Sequence, residues 1–77
     1  MEKKISTATM KFNLACLNKL EEKERKGWVG WDNPEWKDEF KSEIENHVKR
    51  DLTQDDLIDI SNYCMFLWNL QRGKEGG

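Results

Sequence analysis

The segment Asp55-Asp56-Leu57-Ile58-Asp59-Ile60-Ser61-Asn62-Tyr63-Cys64-Met65-Phe66-Leu67-Trp68 constrains the fold most: as a helix it is apolar on almost every side, yet it carries Asp56 and Asp59. A helix of that kind has to be buried. Carboxylates seldom enter such surroundings without a metal, a cation or a hydrogen-bonding partner. The i, i+3 spacing puts the two acids on one face, a turn apart, where they can grip one ion together. The alternative is structural: Asp55 and Asp56 serve the helix N-terminus, and Asp59 faces water.

Little chain is available to bury that helix. Seventy-seven residues make one domain, and a chain this short buries only about 60 % of its surface, so self-association is a common remedy. Four Trp, three Phe and one Tyr can close a thin core or line a pocket for a flat ligand. A net charge of −2 supplies no basic field for duplex nucleic acid. A bound phosphate would therefore need a metal or a few local cations. Met1-Glu-Lys-Lys lacks the apolar run of a signal peptide, and no segment reaches membrane-spanning length, so the expectation is a cytoplasmic protein with no membrane partner. Cys16 and Cys64 fit no metal spacing and are too few for a disulfide framework; both are expected as buried free thiols.

The periodicity predicts an all-α chain of three helices, near 7–25, 34–50 and 54–70, with residues 1–70 as a single helical domain and 71–77 as a mobile tail. Ser6 or Thr7 is the expected first cap. The first helix gathers Met10, Phe12, Leu14, Cys16, Leu17 and Leu20 in a broad apolar arc, with Asn13 in its middle. An Asn there reads a ligand or fixes the register of a helix partner. Gly27 is the expected stop. The loop Gly27-Trp28-Val29-Gly30-Trp31-Asp32-Asn33-Pro34 follows, its Trp pair either folding back as a lid on the core or stacking on a base.

Asn33-Pro34-Glu35 is a strong helix start. The second helix shows Trp36, Phe40, Ile44 and Val48 on one face, with Glu43 and His47 at its edge and Asn46 beside Glu43. Glu43 and His47 are metal or ligand candidates, or simply a pair. Thr53-Gln-Asp-Asp56 resembles a capping box with Asp in place of Glu, which leaves Asp59, past the first turn, without a structural role. Asn62 and Asn69 continue its polar strip.

The run Lys26-Gly-Trp-Val-Gly-Trp-Asp-Asn-Pro34, with Asp56-Leu-Ile-Asp-Ile-Ser-Asn-Tyr-Cys-Met-Phe-Leu-Trp68 after a short acidic helix, resembles small phage proteins labelled MazG-like. These look like cut-down relatives of the all-α nucleotide pyrophosphohydrolases. In the full enzymes Glu-x-x-Glu on one helix and Glu-x-x-Asp on a later one hold magnesium against nucleotide phosphates. The resemblance places the second motif on Asp56 and Asp59, and the first on Glu43 and Asn46, where one acid is missing. Magnesium prefers oxygen, so neighbouring His47 is a poor replacement.

The lost acid orders the implied functions. The leading expectation is a phage-type nucleotide-binding protein, a homo-oligomer acting in the cytoplasm of an infected host cell. It would sequester a nucleotide-derived host-defence signal, of cyclic nucleotide or cyclic ADP-ribose type, without chemistry. Its ligand-binding candidates are Trp28, Trp31, Asn13, His47, Asn62 and Tyr63. The second expectation is a magnesium-dependent pyrophosphohydrolase with Glu43, Asp56 and Asp59 as metal ligands. The third is a helical protein-interaction module working through the first helix.

Overall fold

Local hydrogen bonds set several of the helix boundaries in this protein. The computed structural model describes residues 2–74; Met1 and residues 75–77, including the end of the expected tail, lie outside them. Among the described residues the chain is all-α: α1 (Lys3–Arg25), a short 3-10 turn (Pro34–Trp36), α2 (Lys37–Val48) and α3 (Gln54–Lys74). Among the described residues no helix is long and apolar enough to cross a membrane.

The start of α1 departs from expectation. It begins at Lys3, with Glu2 in the cap position and no side-chain cap bond, so Ser6 and Thr7 lie inside the helix. Lys3, Lys4 and Ile5 contain no breaker, and at an exposed end water satisfies the free N–H groups that a cap would otherwise take. The stop is as expected. Gly27 takes φ +88°, a conformation cheap only for glycine. Its N–H donates to Glu24 O (2.9 Å), while the Trp28 N–H donates to Lys23 O (3.0 Å). That pair of bonds is a Schellman motif.

The second helix is split. Asn33 Oδ1 accepts from the Glu35 N–H at 3.0 Å with Pro34 behind it, which winds residues 34–36 as a 3-10 turn before α2 begins at Lys37 and ends at Val48. The third helix starts on the expected capping box. Thr53 Oγ1 accepts from the Asp56 N–H (3.1 Å), and Asp56 Oδ2 accepts from the Thr53 N–H (3.2 Å). It then runs on to Lys74, so residues 71–74 are helical and not part of a tail. Arg72 has a reason to stay there, its guanidinium lying 4.7 Å from the centre of the Trp68 ring.

Packing centres on α2 against α3, with α1 laid along α3. Phe40 and Phe66, each 2 % exposed, form the buried apolar centre. Trp28 and Trp31 fold back onto Phe66, with ring centroids at 5.4 and 5.3 Å, so both are lids. The wide arc of α1 is largely uncovered: Met10, Phe12, Leu14 and Leu17 are exposed, and only the Cys16 and Leu20 edge is half-buried. Cys64 is exposed and Cys16 half-buried, which corrects the expectation of two buried thiols. Cys64 shares an outward stripe of α3 with Leu57 and Trp68, both exposed.

Candidate functional site

The loop after α1 and the first turns of α2 make a cavity of about 260 Å³. Loop geometry comes first. Gly30 sits at φ +85° and its carbonyl accepts from the Asn33 N–H at 3.1 Å, closing a turn that brings Trp31 back toward α3. Trp28, Val29, Gly30 and Trp31 form one wall. Trp36, Glu39, Phe40 and Glu43, recurring at helical spacing along one face of the second helical segment, form the other, and Tyr63 of α3 closes the side. The ring planes of Trp28, Trp31 and Phe40 lean 36°, 31° and 43° from that of Phe66. Phe66 does not itself line the cavity, and the Tyr63 ring stands at 78° to the Phe66 ring; the slot is the space between the loop wall and the helix wall.

The slot is acidic. Glu39 and Glu43 line it, and among the described residues no Lys or Arg does. Tyr63 reports the same field: burial first, then the charges of Glu43, Asp59 and Glu39, push its phenol above the ordinary tyrosine range.

Behind the slot lies a polar cluster between α2 and α3. Buried His47 (8 % exposed) stacks on Tyr63, and its Nδ1 is 2.9 Å from Asp56 Oδ1. Donation to that carboxylate takes the Nδ1–H tautomer, whereas the Arg50 N–H directed at the same Nδ1 takes the other. Arg50 Nη2 closes on the same pair, 3.5 Å from Asp56 Oδ1, and Glu43 Oε2 stands 3.9 Å from His47 Nε2. His47 above all, then the Thr53 backbone, holds the Asp56 carboxyl below the usual carboxylate range.

The expected residues therefore separate. Trp28, Trp31 and Tyr63 line the slot, as does Glu43. Asn13 does not, because it stands exposed on α1 beside Met10 and Leu14. Nor does Asn62: it is 5 % exposed and its Nδ2 donates to Cys16 O at 3.4 Å, fastening α1 to α3. His47 is spent on Asp56. Trp36, Glu39 and Phe40 are slot residues that the sequence reading did not assign to a site. Their signal was the 36, 39–40, 43 spacing, legible only as a core face until the loop was seen to cross it.

The implied magnesium site does not fit this arrangement. Asp56 turns back to Thr53 and across to His47, while Asp59 lies near Tyr63, its Oδ1 buried without a hydrogen-bond partner. Among the described residues, no three His, Cys, Asp or Glu side chains are placed to hold a metal ion. Glu43, Asp56 and Asp59 thus do not form a ready ligand set, and Asn46 is exposed on α2.

The fold and cavity define a small all-α protein with an aromatic, acid-edged slot. No family model, no curated protein and no solved structure matches the chain.

Proposed function

We propose that the protein binds a nucleotide-like small molecule by its flat ring and holds it without chemistry. The observation that carries this reading is the slot, with three Trp, a Phe and a Tyr around a cavity of about 260 Å³. Aromatic stacking is worth about 1–3 kcal/mol per base and is open to any base. Sequestration is favoured over hydrolysis because Asp56, an acid the reaction would need on magnesium, is hydrogen-bonded to His47 and Thr53. A host-defence signal of cyclic nucleotide or cyclic ADP-ribose type remains the concrete candidate, through the MazG-like phage resemblance.

The same reading makes the protein a homo-oligomer. Ile5, Met10, Phe12, Leu14 and Leu17 on α1 are 41–68 % exposed, and Leu57 and Trp68 of α3 are 46 % and 56 % exposed. Of these, Met10, Leu14 and Leu17 line one surface depression; exposed apolar patches mark interaction sites, and a second copy offers α1 the apolar partner that its own chain does not.

The test is incubation with a panel of nucleoside mono-, di- and triphosphates, cyclic dinucleotides and cyclic ADP-ribose, followed by chromatography before and after heat denaturation of the protein. Depletion reversed intact by heating is the expected result. New products would mean an enzyme, and an untouched panel would reject nucleotide binding.

A further inference from the structure

Resting on the nucleotide reading, and favouring within it a guanine-containing cyclic nucleotide over the adenine-based cyclic ADP-ribose, we infer that the slot selects a ring that presents two adjacent hydrogen-bond donors, a guanine-type edge, and leaves the phosphates outside. Size sets the first limit. At about 260 Å³ the slot falls just under the roughly 300 Å³ at which whole small-molecule sites begin, so it has room for a base and not for base, sugar and phosphates together.

Charge sets the second. Glu39 and Glu43 are the ionisable groups lining the slot besides Tyr63. With no Lys or Arg lining the slot among the described residues, the two carboxylates repel phosphate and attract donors. Tyr63, with its ionisation opposed by burial and by Glu43, Asp59 and Glu39, stays a neutral phenol and adds a donor or acceptor of its own.

Base chemistry then selects. An ionised carboxylate has acceptors only. Guanine places N1–H beside the exocyclic N2–H₂, so one carboxylate takes both in a two-pronged bond. Adenine sets an acceptor, N1, beside its amino group; uracil flanks N3–H with two carbonyls; cytosine offers one amino group next to an acceptor. For each of these, one prong meets a lone pair. Rings and acids together also suit a quaternary ammonium, but such a cation makes no hydrogen bonds, whereas Glu39, Glu43 and Tyr63 line the slot with directional partners.

Tryptophan fluorescence and calorimetric titrations with guanosine, inosine, adenosine, cytidine, guanosine 5′-monophosphate and tetramethylammonium test the inference. Guanosine should bind about tenfold or more tighter than inosine, which lacks the 2-amino group, and than adenosine. The 5′-phosphate should bring no gain. Glu39→Gln and Glu43→Gln both keep side-chain size, and at least one should erase the guanosine preference while weak stacking persists and the helical circular dichroism is unchanged. Equal binding of all nucleosides, a preference surviving both substitutions, or tighter binding of tetramethylammonium would overturn the guanine edge. If nucleosides bind without preference, only this inference falls; if neither the nucleosides nor the nucleotide panel bind, the nucleotide reading falls with it.

Discussion

Replacing Phe66 with leucine removes the α3 ring against which the loop and α2 pack, while keeping most of the apolar volume. Phe66 is 2 % exposed, and its centroid lies 5.4 Å from that of Trp28, 5.3 Å from Trp31, 5.1 Å from Phe40 and 6.1 Å from Tyr63. Each aromatic pair contributes about 0.5–1.5 kcal/mol beyond area. Four pairs at the low end give about 2 kcal/mol; the upper end is not reached, because neighbouring contacts are not additive and leucine repacks in part. A loss of about 2–3 kcal/mol is a large share of the ~4–12 kcal/mol that a chain of this length commands. At about 4–8 °C per kcal/mol, Tm should fall by roughly 8–24 °C. Melts followed by circular dichroism at the helix band, with tryptophan emission read on the native baseline, provide the assay. Emission should shift to the red, since Trp28 and Trp31 lose their seat, and nucleoside binding should weaken in step. A Tm within about 3 °C of the parent and unchanged emission would refute the view that this ring organises both core and slot.

Leu14→Asp together with Met10→Asp should convert an oligomer to a monomer at micromolar concentration with helicity retained; sedimentation velocity that shows the parent itself to be monomeric removes the shared-face reading. Acid titration should show a stability contribution from Asp56 that is fully present above the ordinary carboxylate range, because its folded pKa is depressed, and that is lost as pH falls below about 4. Asp56→Asn should flatten this limb, and an unchanged limb would mean that the His47 and Thr53 bonds do not persist in solution. Asp59→Asn, which neutralises a buried oxygen with no partner, should hold or raise Tm in metal-free buffer, while exposed Asp55→Asn leaves it unchanged; a clear drop for Asp59→Asn would reveal a partner for that carboxylate. Asn46→Glu supplies the acid that the pyrophosphohydrolase pattern lacks, and since Asp56 is already engaged its Tm should be indifferent to magnesium against chelator. A rise in magnesium would restore the metal reading.

The sequence by itself determined the elements and their punctuation. Gly27 had to end α1 because only glycine takes the left-handed turn cheaply there, Asn33-Pro34 had to start the next segment, and Thr53 with Asp56 formed the expected box; all three are local hydrogen-bond problems with few solutions. The apolar run through Phe66 likewise marked α3 as the core helix. Partners were another matter. Whether Trp28 and Trp31 stacked on a ligand or on the core depended on a ring some 35 residues away, and periodicity is silent about which turn of which helix a loop will cross. The same silence hid Glu39, whose place opposite the loop no local pattern marks, and misplaced Asn62, whose amide turned out to be the tie to the Cys16 carbonyl. Asp56 and Asp59 share a face by spacing alone, yet His47 and Thr53 drew one away and packing buried an oxygen of the other. Spacing fixes which side chains can meet. Only the tertiary structure decides which of them find a better partner first.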